Sequence, residues 1–473
     1  MTPPLPPWLE AFRHRVEADV VETHISWILL SSEYAWKLKK PVSLPFVDYG
    51  TPARRAWCCQ EELRLNRRFA PDLYLGLDPV GGSGEWAVRM RRFDEAQRLD
   101  HVCAQGQLRT EHLDALVQTI THAHGKAGIA GPTSPFGEPE QVLAPALENF
   151  VELLELQPQL GGRLTPLQAW THDEFGRIRP LLAARKAAGR IRECHGDLHL
   201  GNLILQDDRV LPFDCIEFNP ALRWIDVASE LAFTWVDLLD HRQPGLAGWL
   251  LNAWREHTGD HEAIEVMRFY GVYRALVRAK VAALSDRRED VEDYLKLAER
   301  IARSGPPKLV ITHGLSGSGK TLQSGRLLQE DPLGQTLRLR ADVERKRLFG
   351  LAPLDASAPL LNIYTAGATR ATYGLLATWA GRWLAAGWSV IVDAAFLKRR
   401  ERDAFHQLAL THNAGFGILA CDAPLDQLRQ RLLTRRGDAS EATVALLAQQ
   451  CQWLEALGED EHSLLLPQRR EPT

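Results

Sequence analysis

The run Gly314-Leu315-Ser316-Gly317-Ser318-Gly319-Lys320-Thr321 constrains this chain more than any other stretch. Its glycines open backbone conformations that side chains forbid. Before it, Lys308 to His313 reads as an apolar strand; after it, a helical pattern begins near Thr321. Strand, glycine loop and helix in that order let successive N–H groups turn inward round a phosphate at the positive end of a helix dipole. In that setting Gly314, Ser316, Gly317, Ser318 and Gly319 line the cradle. Lys320 bridges the β- and γ-phosphates, and the Thr321 hydroxyl ligates magnesium.

A second polar run, His195-Gly196-Asp197-Leu198-His199-Leu200-Gly201-Asn202, lies more than a hundred residues earlier. The 473 residues exceed one ordinary domain, so the two runs have room to sit on separate folding units. A hydrophobic fraction of 45% with 25% charged residues is that of a soluble globular protein. No apolar run approaches the ~18 residues of a membrane span, and an N-terminus carrying Pro3, Pro4, Pro6 and Pro7 lacks the pattern of a secretory signal. A cytoplasmic location without membrane partners is the expectation. Seven cysteines without a Cys-x-x-Cys pair predict reduced thiols, not a disulfide framework or a zinc knuckle. A formal charge of −4 gives no global pull toward nucleic acid.

The breaker cluster Ser304-Gly305-Pro306-Pro307 predicts a junction between residues 1–303 and 308–473. In the first part, Ile25, Trp27 and Leu29 alternate as a strand does, and Tyr34, Trp36 and Leu38 repeat the pattern after Ser31-Ser32. Lys37 and Lys39 share the other face of that second strand. A helix follows, with Thr51 as N-cap and Pro52 at its first position. Trp57, Glu61, Leu65 and Phe69 form one stripe at i, i+4 spacing, in which the acid Glu61 wants a cation.

Strand lysine, helix glutamate and a loop reading His-x-Asp-x-x-x-x-Asn follow the order of parts in protein-kinase-like phosphotransferases. An aspartate there takes the proton of the attacking hydroxyl, an asparagine five residues on reaches a magnesium ion, and an acid on the next strand holds the metal from the other side. Asp197, Asn202 and Asp214 fill those places. The bland alternatives are a pair of metal-binding histidines at His195 and His199, or histidines that only anchor their loop.

His195-Gly196-Asp197 with Asn202 and Asp214 resembles the aminoglycoside phosphotransferase and choline kinase superfamily. The resemblance implies Asp197 as catalytic base, Asn202 and Asp214 as magnesium ligands, and Lys37 on the α/β-phosphates paired with Glu61. Lys39 and Glu62 are the neighbouring alternatives. Asp226 resembles the aspartate that braces the catalytic loop. In the second part, Asp342 and Arg345 follow the strand Thr336 to Arg340, Asp393 ends the apolar strand Ser389 to Asp393, and Arg431 and Arg435, with Arg436 beside them, share a helix face. These residues are similar to the Asp-x-x-Arg, strand-end acid and lid arginines of P-loop kinases related to zeta toxins, gluconate kinases and polynucleotide kinases. Asp342 is the base by that likeness.

The whole reads as an α+β bilobal protein-kinase-like domain, with an N-lobe of about 1–95 and a C-lobe of about 96–303, followed by an α/β P-loop kinase domain with a mostly parallel sheet. The implied activity is bifunctional transfer of the γ-phosphoryl group of ATP, with Mg2+, to hydroxyls of small molecules, sugar or aminoglycoside-like in the first domain. Two alternatives stand beside it. One domain serves only as a ligand- or partner-binding module, or the P-loop domain phosphorylates nucleic-acid ends.

Overall fold

The computed structural model describes residues 4–44, 47–303, 305–357, 363–435 and 437–467. Contacts gather the chain into two compact units, Met1–Gln159 with His172–Asp237, and Leu160–Thr171 with Leu238–Thr473. This division falls well before the breaker cluster, of which Ser304 lies outside the described residues.

The first unit opens with a five-stranded antiparallel sheet in the order Asp19–Glu22, Ser26–Leu30, Tyr34–Lys39, Glu85–Arg91, Tyr74–Val80. The hairpin of Ser26–Leu30 and Tyr34–Lys39 turns through Ser31 and Ser32, as the alternation predicts. Against the sheet packs the helix Pro52–Asn66, whose Thr51 hydroxyl accepts from Arg54 N at 3.2 Å. The buried side of this helix is Cys58, Cys59, Glu62, Leu65 and Asn66, not the stripe through Trp57 and Glu61. The helix docks about one residue further round than i, i+4 spacing suggested, and it ends before Phe69. Helices follow, among them Thr110–Lys126 and Pro139–Leu156, with the hairpin Leu203–Gln206 and Arg209–Pro212 among them. This is the two-lobed α+β arrangement, with the His195-to-Asn202 loop leading into that hairpin.

The second unit holds a parallel sheet in the order Thr336–Arg340, Ser389–Asp393, Lys308–His313, Gly415–Ala420. Its two inner strands, Lys308–His313 and Ser389–Asp393, are nearly continuous apolar runs, as a sheet covered on both faces requires. Gly314, Asp342 and Asp393 all fall at or just past the carboxyl ends of these strands, the place where open α/β sheets bind ligands. The edge strand Thr336–Arg340 is covered by the helix Pro244–Thr258. Asn252 donates to Thr336 O at 3.0 Å and accepts from Arg338 N at 2.7 Å, which completes backbone groups an edge strand leaves open. That contact explains why residues from 238 onward belong to this unit. No described helix is long and apolar enough to cross a membrane.

A buried polar knot ties the helices Pro244–Thr258 and Ala341–Leu348 together. Arg255 donates to Glu344 at 3.0 Å, and His261 Nε2 meets the other Glu344 oxygen at 2.9 Å. Burial would raise the Glu344 carboxyl, but the His261 hydrogen bond and the Arg255 charge outweigh it and hold it at about 2, against an ordinary 4.5. Burial keeps His261 below its ordinary 6.5. Both shifts are downward, so both groups bind fewer protons folded than unfolded, and stability is lost as pH falls. Urea midpoints of the second unit should drop as pH falls below about 6.5, and more steeply from 4.5 toward 2. Glu344→Gln should flatten the lower part of that curve.

Candidate active sites

In the first unit Gly196 has φ of 93°, and a Cβ there would stand 2.9 Å from Leu222 O, so only glycine lets the His-Gly-Asp turn close. His195 is buried, bonds Phe213 O at 2.8 Å through Nε2, and accepts from Asp197 N at 3.3 Å through Nδ1. Burial holds it below its usual range, so it is a neutral loop anchor. His199 faces Asp197 at 3.4 Å and accepts from Gly201 N, so the two histidines do not converge as metal ligands.

Asp197 keeps a side chain 36% exposed, which leaves it reachable by an incoming hydroxyl. Asn202 Nδ2 donates to Asp197 O at 2.9 Å and Oδ2 at 3.1 Å, turning its own Oδ1 away from that carboxylate. Asp214, at a φ of 65°, ion-pairs with Lys37, and Lys37 Nζ also lies 3.0 Å from Glu62 Oε1. Burial would raise the Asp214 carboxyl, yet Lys37 pulls it below the usual range. Asn202 thus meets Asp197, and Lys37 meets Asp214.

Two assignments change. The partner of Lys37 is Glu62, not Glu61. Glu61 points the other way and pairs with Arg64 at 2.7 Å and Arg223 at 3.4 Å. The brace of the His195–Asn202 loop is also different. Asp226 holds Arg185 in a bidentate pair at 2.7 Å. The loop amides go instead to Glu230, whose two oxygens accept from His195 N at 2.7 Å and Gly196 N at 2.9 Å, and to Asp237, which accepts from Leu200 N at 2.8 Å. Sequence reasoning missed both acids. Their only signal is that they recur seven apart on one face of the helix Val227–Asp240.

Beneath Lys37 lies a ladder of alternating charge. Lys39 pairs with Glu62 and with Glu217, and Tyr49 OH donates to Glu217. Lys39, Glu62, Glu217 and Tyr49 are all at most 2% exposed. Lys39 is thereby walled off, and Lys37 is the lysine next to Asp214.

In the second unit Gly314 has φ of 143° and a Cβ would come 2.1 Å from Cys421 O, so the loop needs glycine there. The helix Lys320–Gln329 begins where the motif predicts. Lys320 Nζ donates to Gly314 O at 2.9 Å and Leu315 O at 2.7 Å, folded back on its own loop; burial lowers its pKa, with Asp393 opposing. Asp393 Oδ2 lies 3.2 Å from the Ser324 hydroxyl. Arg345 donates to Asp342 Oδ1 at 2.6 Å, one turn away. Arg431 reaches Gly317 O at 3.1 Å, whereas Arg435 turns to Ser440 O at 3.4 Å and Arg436 lies outside the described residues. Ser318, Gly319, Lys320, Thr321, Asp342, Arg345 and Asp393 therefore gather at one end of the sheet. A cavity of about 1010 Å³ opens there, lined also by Arg431 and Arg435.

Gln450 was not foreseen. Its Oε1 accepts from Ser316 N at 2.8 Å, so a side chain already occupies one N–H of the phosphate cradle. Leu447, one turn earlier, packs with Leu315 and keeps the helix Val444–Trp453 in place. A phosphate needing that N–H must displace the glutamine. A neutral hydrogen bond is worth about 0.5–1.5 kcal/mol. Gln450→Ala should therefore tighten MgATP binding by roughly 2- to 10-fold, read by calorimetric titration; unchanged or weaker binding would reject this competition.

A family model described as an AAA domain matches residues 309–457. The chain is 30% identical over 454 residues to an uncharacterized protein of Mycobacterium tuberculosis and to one of Mycobacterium bovis, covering 92% of this chain and 90% of each relative. Among solved structures, the GDP complex of wild-type aminoglycoside 2'-phosphotransferase-IIIa is similar at 13% identity and a TM-score of 0.39, over 60% of this chain and 91% of that one. A choline/ethanolamine kinase family protein from Mesorhizobium loti is similar at 12% identity and a TM-score of 0.37, over 62% and 94%. Choline kinase from Cryptosporidium parvum is similar at 11% identity and a TM-score of 0.41, over 63% and 92%.

Proposed function

We propose, from the premise that this chain belongs to one family with those Mycobacterium tuberculosis and Mycobacterium bovis proteins, that it is a bifunctional ATP- and magnesium-dependent phosphotransferase with its two domains joined at residues 304–307. The observation that supports the reading most is that each unit brings near one another side chains of the kinds such chemistry uses. Asp197, Asn202, Asp214 and Lys37 meet in one unit, and Lys320, Thr321, Asp342 and Asp393 in the other.

Asn202 and Asp214, and separately Thr321 and Asp393, offer the hard oxygen donors that suit magnesium. Bound there, the ion neutralises charge on the β- and γ-phosphates. Asp197 takes the proton of the first acceptor's hydroxyl, and Asn202 and His199 hold its carboxylate in place. Lys37, oriented by Glu62, takes the α/β-phosphates. At the second site Asp342 takes the hydroxyl proton, Lys320 swings from its loop carbonyls to the phosphates, and Arg431 and Arg345 offset charge developing on the transferred group. The resemblance of the His-Gly-Asp loop favours a sugar- or aminoglycoside-like acceptor for the first domain, in a cytoplasmic setting.

The test is transfer of label from γ-labelled ATP into aminoglycosides, sugars, nucleosides and 5′-hydroxyl oligonucleotides by wild type, Asp197→Ala and Lys320→Ala. Each variant should silence a different set of acceptors. If one variant abolished all transfer and the other none, only one domain would be an enzyme and the other a binding module.

A further inference from the structure

The cavity at the P-loop carries a charge pattern that a nucleotide does not use up. Eight of its lining side chains are lysines or arginines and four are acids. Five of these cations are committed: Arg340 to Glu256 at 2.7 Å and Asp438 at 2.9 Å, Arg345 to Asp342, Arg435 to Ser440 O, and Arg431 and Lys320 to the loop. Arg370 and Arg400 are exposed and have no hydrogen bond or ion pair among the described residues.

Arg370 and Arg400 line the cavity from the helices Ala366–Ala385 and Arg399–Thr411. Along the helix Ala366–Ala385, the lining residues are Ala366, Thr369, Arg370, Tyr373, Gly374 and Ala377, which recur at three- and four-residue steps and form a single face. Small residues on that face leave space, and Arg370 is its one charge. Along the helix Arg399–Thr411, Arg400, Glu401, Ala404 and Phe405 line the same space in the same way. Burial raises the Glu401 carboxyl above its usual range, with the neighbouring Lys398 and Arg400 charges opposing. Lys398, over the Trp453 ring at 5.7 Å, adds another cation.

Resting on the phosphotransferase reading above, we infer that the acceptor of the P-loop site is a small anionic hydroxyl compound, whose phosphate or carboxylate group is held by the Arg370 and Arg400 guanidinium forks. Such forks match oxyanions in bidentate geometry, and a polycation such as an aminoglycoside would meet an uncompensated positive wall. In the transfer, the acceptor oxygen bonds the γ-phosphorus as the bond to the β–γ bridging oxygen breaks. ADP leaves with that electron pair, and the hydroxyl proton passes to Asp342.

The experiment uses the full chain carrying Asp197→Ala, with γ-labelled ATP. Its acceptors are a neutral sugar, the phosphate ester of that sugar, the corresponding sugar acid, kanamycin and a 5′-hydroxyl oligonucleotide; thermal stabilisation by each is read alongside. The phosphate ester or the sugar acid should be preferred over the neutral sugar by at least tenfold in kcat/KM, and which of the two leads identifies the anion. Arg370→Glu and Arg400→Glu should each remove at least tenfold of that preference, Arg370→Lys should restore part of it, and a matched melting temperature shows the variants folded. Preference for the neutral sugar or kanamycin overturns the inference. So does preference for the oligonucleotide with steep salt dependence, and so does absence of both transfer to and stabilisation by every anionic member. Transfer that survives Lys320→Ala instead refutes the P-loop phosphotransferase reading.

Discussion

Asp197→Ala should lower kcat at the first site by roughly 10²- to 10⁴-fold, the range a positioned general base supplies, with little change in the binding of MgATP. The carboxylate is partly open to solvent, and its contacts come from Asn202 and His199. Those contacts orient it without burying it, so removal deletes proton transfer and spares the fold. The loop itself hangs on Glu230 and Asp237. Asp197→Asn should fail almost as badly, because an amide cannot take the proton. Activity that depends on Lys320 should persist in both. Measurement of kcat and KM with each domain's acceptor, and of MgATP affinity, checks all three statements. A large loss of nucleotide affinity would make Asp197 a ligand-organising group and not a base.

The largest stability effect is expected at a residue outside the chemistry. Lys39→Met removes the central cation of the ladder formed by Lys37, Glu62, Lys39 and Glu217. Glu217 is then left buried with the Tyr49 hydroxyl and no cation. Removing one member of a buried pair in this way costs about 3–5 kcal/mol, whereas replacing both members is often close to neutral. Lys39→Met should therefore shift the urea midpoint strongly at constant slope. Lys39→Met with Glu217→Gln should recover most of the loss. Additive losses in the double variant would mean that the two groups do not act as a pair.

These outcomes separate what local spacing carries from what docking decides. Chemistry confined to one strand, turn and helix was legible: the P-loop with its strand and helix, the Thr51 cap, the hairpin presenting Lys37 and Lys39 together, and the strand ends at Asp342 and Asp393. Each depends on neighbours a few residues away, whose relative direction the backbone period sets. The choice between Glu61 and Glu62 was not of that kind. Adjacent residues on a helix point about 100° apart, and which one meets Lys37 depends on how the helix lies on the sheet. The brace was hidden for a related reason, since Glu230 and Asp237 lie 35 and 37 residues beyond the amides they hold. Gln450 is 134 residues from Ser316. Nothing in its own surroundings marks it.

By itself, then, the sequence determined the loops at 195–202 and 314–321, the elements that carry them, and the residue types they present, because steric and hydrogen-bonding rules over a few residues suffice for these. Only the tertiary structure decided which glutamate pairs with Lys37, which acids hold the His195–Asn202 loop, what rests on the P-loop, and which arginines face the cavity uncommitted. Those follow from burial and ion pairing between distant segments, where a small rotation of a helix exchanges one partner for another.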